Sequence, residues 1–146
     1  MGLEKFLKDE EQRAVVAAIV EAEACTSGEI RVHVEPKCKC GNPLDRAVEV
    51  FGKLGMHETR ERNGVLIYIA YASRQFAIIG DRGIDERVPA DFWENEKRML
   101  ASYLLEGRPC EGLCKVIGQV GVNLSEYFPH KDDDVNEQSD EISYSD

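Results

Sequence analysis

Apolar and polar side chains alternate between Glu29 and Glu35: Ile30, Val32 and Val34 fall on one face, Glu29, Arg31, His33 and Glu35 on the other. A period of two predicts a strand with two unlike faces, and the polar face predicts a place near a sheet edge or along a cleft. Val65–Tyr71 and Phe76–Ile79 are apolar throughout, rich in Val, Ile and Tyr, and too short for helices. They predict strands buried on both faces. Helical spacing marks four further segments. Val15, Val16, Ile19 and Ala22 form a stripe over 9–25, with Asp9 as N-cap and Gln12 three residues on. Leu44, Ala47, Val48, Phe51 and Leu54 predict a second helix, closed by Gly55 as the residue after the C-cap. A third helix runs from an Asp91 cap to Glu106. The fourth, 110–127, carries Leu113, Val116, Ile117, Val120, Leu124 and Tyr127 on one face.

The order of these elements constrains the topology. A strand, a helix and a second strand make a right-handed parallel crossover. The bend Ala72-Ser73-Arg74 is too short for another crossover, so the second and third strands form an antiparallel hairpin. The expected fold is a three-layer α/β/α sandwich with a small mixed β-sheet and helices on both faces, spanning 1–129. Residues 130–146 form an acidic C-terminal tail.

Charge and cysteine content narrow the classes. The 146 residues carry 28 acids against 18 bases, a net charge of −10. Without a basic surplus to displace counterions, no nucleic-acid partner is expected. More than half of the net charge lies in the tail, too acidic and too poor in aliphatics to fold alone. Val135, Ile142 and Tyr144 are spaced as anchors by which it could dock on the domain or a partner; the alternative is a solubilising end. No run has membrane-spanning length and the N-terminus lacks a secretory apolar region, so the cytosol is the expected compartment. Five cysteines, an odd number, suit reduced thiols. Cys38, Cys40, Cys110 and Cys114 could be assembled into a zinc site, but the Cys-x₂-Cys knuckle is missing, so neither zinc nor a disulfide is expected. Cys25 is expected to pack at a helix end, and Trp93 in the core. Gly-x-Ser-x-Gly, P-loop, dinucleotide and cysteine-phosphatase signatures are absent.

The segments TSGEIRVHVE, LDRAVEVFGKLGMHETRERNGVLIYIA, RQFAIIGDRGI, VPADFW and NEQSDEISY resemble the TPM domain family. This is the family of thylakoid-lumen proteins linked to photosystem II repair and of many bacterial proteins. The resemblance covers essentially the whole chain and is densest over 26–35, 54–70 and 76–84. It implies an α/β/α sandwich, an acid phosphatase activity described for part of the family, and divalent metals bound in some members. The chain looks like a free-standing bacterial form. Where many members have a Gly-Tyr-Gly-like turn after the third strand, this one reads Gly80-Asp81-Arg82-Gly83.

The predicted topology decides which side chains can meet. Parallel first and second strands, with an antiparallel third, bring Asp81 to the end where Glu29 and Asn63 begin their strands. Glu29, Asp81, Asp85 and Glu86 could then supply hard oxygen ligands to Ca²⁺ or Mg²⁺. Asn63, Arg62 and Arg82 stand where a phosphoryl or other anionic group would be bound. The competing reading is a capped turn surrounded by solvated acids. His33 is either a base or ligand on the polar face or a packing residue; His57 sits in a linker and His130 starts the tail. Two functions fit: a divalent-metal-binding module for binding or assembly with a protein partner, or a metal-dependent phosphatase acting on phosphate esters.

Overall fold

A computed structural model describes residues 2–39, 41–131 and 139–146; Cys40 and Val135 lie outside the described residues. The elements run α1 Leu3–Phe6, α2 Asp9–Glu23, β1 Glu29–Glu35, α3 Pro43–Lys53, a 3₁₀ turn Met56–Glu58, β2 Gly64–Ala70, β3 Gln75–Gly80, α4 Arg82–Asp85, α5 Glu94–Leu105, α6 Pro109–Ser125 and β4 Ser143–Tyr144. The sheet order is β3-β2-β1-β4. β1 and β2 are parallel, with Glu29 opposite Gly64 and Glu35 opposite Ala70. β2 and β3 form the expected antiparallel hairpin, with Val65 opposite Gly80.

The two faces of the sheet carry separate cores. Ile30, Val32, Val34, Val65, Ile67 and Ile69 meet the stripes of α2, α5 and α6, including Ile19, Leu100 and Val120. Leu66, Tyr68, Ala70 and Ala77 meet Ala47, Val50 and Phe51 of α3. β2 is buried along its whole length because it faces both layers. Trp93 is part of the first core, 9% exposed.

The tail closes the sheet on its other side. β4 pairs in parallel with β1, His33 opposite Ser143 and Val34 opposite Tyr144. Ile142 and Tyr144 pack against the first core, so the docking anchors engage the domain itself. β1 is thereby an interior strand. Its polar residues His33 and Glu35 are 5% and 0% exposed and lie under α3 instead of lining an open cleft.

Element ends differ by a few residues, with identifiable causes. α2 is capped one residue earlier than expected: the Glu11 carboxylate accepts the Lys8 amide at 2.9 Å, the return half of a capping box. Asn42 caps α3. Asp91 does not cap α5; the turn at 91–93 is held by Phe92 and Trp93, whose rings pack edge to face at 4.7 Å, and the helix starts at Glu94. Gly55 adopts the left-handed conformation that closes α3, φ 68°. Cys25 is exposed, not packed; its thiol points along the last turn of α2 toward the Glu21 carbonyl.

Candidate functional site

The parallel pair has an amino end, where Glu29 and Gly64 begin, and a carboxyl end at Glu35 and Ala70. The hairpin delivers Asp81 to the amino end, where its side chain accepts the Arg82 amide at 2.7 Å and caps α4. The Arg62 guanidinium grips the same carboxylate twice, Nε to Oδ2 at 2.7 Å and Nη2 to Oδ1 at 3.0 Å. Arg62 holds this position in a left-handed conformation, φ 53°. Gly83 is required by a close approach: its amide donates to the Arg62 carbonyl, and a Cβ there would lie 2.2 Å from the Glu61 carbonyl oxygen.

Around this turn the polar groups are ordered. Asn63, 1% exposed, donates from Nδ2 to Ser27 Oγ at 3.3 Å. Ser27 donates to Glu61 at 2.9 Å, and Lys131 pairs with that carboxylate at 3.3 Å. Glu29 is 4% exposed. Partial burial and the Asp81 charge raise the Asp85 carboxyl. Glu86 and Arg82 lie exposed on the same turn. The predicted carboxylates thus share one end of the sheet, but no three Asp, Glu, His or Cys side chains form a metal cage among the described residues. Asp81 already takes three donor bonds. A cation there requires Arg62, whose side chain is 32% exposed, to swing away.

Sequence reasoning missed Glu23. At the end of α2 its Oε2 accepts the Ile30 amide at 2.7 Å. Burial, a hydrogen bond with Asp140 and the charges of Glu29 and Asp140 push its carboxyl up to about 9. Glu23 is therefore protonated at neutral pH. The only hint in sequence was its place one turn before the strand; its partner Asp140 comes from the far end of the chain.

The carboxyl end is built differently. Glu35 accepts from Arg46 Nε at 2.9 Å and Nη2 at 2.8 Å, from Ser145 Oγ at 2.8 Å and from the Tyr68 hydroxyl. Burial alone would raise this carboxyl, but those donors outweigh it and hold it down to about 2. Burial and the Glu35 bond raise the Tyr68 hydroxyl. His33 bonds Ser143 through Nδ1 and Ser145 through Nε2, each at 2.8 Å. Since the Ser145 hydroxyl proton goes to Glu35, His33 must donate from Nε2 and accept at Nδ1. Burial keeps the ring neutral, its pKa down to about 4. Ser145, His33 and Glu35 are close, yet they are no nucleophile-base relay. The acid does not hold Nδ1, and Nε2 carries the proton that a base would have to lack. Arg46 could have been read from sequence, because it precedes Val50 by four residues on the buried stripe of α3.

The described thiols do not converge. Cys38 packs on the α3 core, whereas Cys110 and Cys114 sit on the opposite face. Burial and the neighbouring Cys114 push the Cys110 thiol up to about 11. No helix among the described residues is long and apolar enough to cross a membrane.

A model of the TPM domain matches residues 3–122, and the chain belongs to that family. Among solved structures it is similar to the BA42 protein of the psychrophilic bacterium Bizionia argentinensis. The two are 43% identical over 98% of each chain, with a TM-score of 0.91. The N-terminal domain of the cg2496 protein of Corynebacterium glutamicum shares the fold at 13% identity. That match covers 94% of this chain and 79% of the other, with a TM-score of 0.63. No curated protein matches the chain.

Proposed function

We propose that this TPM domain is a binding or assembly module that takes a divalent cation, Ca²⁺ or Mg²⁺, at the amino end of its parallel strands. The observation that carries the reading is the crowding of carboxyls there. Glu23 is pushed up to about 9 by burial, its bond to Asp140 and the nearby acids, Glu29 among them; Asp85 is raised with Asp81 beside it. A carboxyl kept protonated partly by its neighbours is one whose ionised form a cation stabilises. Glu29, Asp81, Asp85 and Glu86 are the proposed oxygen ligands, suited to a hard ion. Occupancy would trade the Arg62–Asp81 pair for a cation–Asp81 contact and free Arg62, beside Arg82 and Asn63, to meet an anionic group of a partner.

Adding Ca²⁺ or Mg²⁺ should raise the melting temperature, by linkage about 2.7 kcal/mol at a hundredfold excess over Kd. The gain should shrink in Asp81→Asn and Glu29→Gln. A response of equal size in both variants moves the site elsewhere.

A metal-dependent phosphatase is the second reading, favoured by the two arginines beside the acids. A bound ion would polarise a phosphoryl oxygen there while Arg62 and Arg82 hold the others. Metal-dependent turnover of a simple phosphate ester, lost in Asp81→Asn, selects this reading. Binding with no turnover over a broad phosphoester panel selects the module.

A further inference from the structure

A cavity lies at the other end of the molecule, outside the carboxyl end of β2. It measures about 610 Å³ and is lined by α1, the start of β3 and the α5–α6 junction. That volume is in the range of small-molecule sites, about 300–1,000 Å³. Open α/β sheets place ligands outside the carboxyl ends of their strands.

The lining is apolar with a charged rim. Phe6 and Tyr71 stack at 5.4 Å between ring centres and form one wall; Phe76 and Leu104 form others. Leu105 stands at the lip, 86% exposed. Lys5 and Arg74 are its charged residues, and no Asp or Glu lines the cavity, in a chain of net charge −10. Neither cation has an ion-pair partner among the described residues. Arg74 occupies the hairpin bend with φ 57°, a left-handed conformation that favours glycine or asparagine. A long cationic side chain at a position whose backbone suits glycine points to a use for its guanidinium.

We infer that this cavity binds a small amphipathic carboxylate, its apolar body against Phe6, Tyr71, Phe76 and Leu104 and its head between Lys5 and Arg74. The apolar walls exclude a small hydrophilic anion such as free phosphate as the best ligand. The two rim cations select an anion over a neutral or cationic molecule of the same shape. The site is separate from the amino end and needs no metal there.

Calorimetry with octanoate, below its micelle concentration and in EDTA, tests the assignment, with amide NMR to map the contact. Saturable binding is expected, with shifts centred on Phe6, Tyr71, Phe76 and Leu104. Octanol should bind at least tenfold more weakly, and octylamine not at all. Arg74→Gly, which relieves the backbone and so preserves the fold, should weaken octanoate at least tenfold without lowering the melting temperature. Lys5→Gln should act in the same direction. Absence of saturable binding, equal affinity for octanol, or unchanged affinity in Arg74→Gly with Lys5→Gln combined would each overturn the proposal. Failure of the cation site leaves all of these readings as they are, because EDTA is present throughout.

Discussion

Two carboxyls at opposite ends of the same strand pair have opposite fates. Glu35, at the carboxyl end, is surrounded by donors and is ionised down to about 2. Glu23, beside the amino end, is half-buried near Glu29 and Asp140 and holds its proton up to about 9. The first is a completed structural network: every donor is a side chain of the domain or of its docked tail. At the second, burial and neighbouring acids act in the same direction on one carboxyl. Completed networks hold folds together; a carboxyl raised by its neighbours is where an external ion gains the most.

The contrast is sharpest in stability, where removing the positive partner of Glu35 should do most. Arg46→Met leaves a buried carboxylate unpaired and should cost about 3–5 kcal/mol in urea unfolding. Adding Glu35→Leu to it should recover much of the loss. A small effect from Arg46→Met would break the comparison, because Glu35 would then not need its donors.

The two ends should also respond to pH with opposite sign. Glu23 has a folded pKa above its unfolded value, so its contribution is present below about 4.5 and is lost as pH rises toward 9. Glu35 and His33 are depressed, to about 2 and about 4. Their contributions are present above the unfolded values and are lost on acidification, His33 first, between about 6.5 and 4. Glu23→Gln keeps an acceptor for the Ile30 amide and should stabilise the protein at pH 8 by about 1–3 kcal/mol. It should flatten the alkaline limb of a stability–pH curve and leave the acid limb unchanged. Loss of stability at pH 8 in this variant would show that the carboxyl there is not crowded.

A smaller effect separates the tail from the network it completes. Ser145→Ala removes one donor to Glu35 and one acceptor from His33, and should cost about 1–2 kcal/mol. The smallest concerns the clamp at the other end. Arg62→Ala breaks a partly exposed pair and relieves a left-handed arginine, so stability should move little. Its melting-temperature response to Ca²⁺ should grow, since no guanidinium then competes for Asp81. An unchanged response would uncouple Arg62 from the cation.

How much of this could be read from sequence follows the range of the interactions. Alternation over 29–35 and the short bend at Ala72–Arg74 are local, and the strands, their directions and the meeting of Glu29, Asn63 and Asp81 at one end follow from them. The state of those groups was less legible. Arg62 is one residue from Asn63 in the chain, but its grip on Asp81 depends on a left-handed backbone that no residue type announces. The polar face of β1 suggested a cleft or an edge because Arg46 and the tail serines, which bury it, lie at distant positions. Glu23 and Asp140 were hidden for the same reason, meeting only once β4 had docked.

A carbon-detected NMR titration of the Glu side-chain carboxyls measures the difference between Glu23 and Glu35 directly. A Glu23 midpoint near 9 and a Glu35 midpoint near 2 are expected, with the Glu23 midpoint falling when Ca²⁺ or Mg²⁺ is added and Glu35 unmoved. Midpoints for both in the ordinary carboxylate range, or a Glu23 midpoint indifferent to the ion, would contradict this expectation.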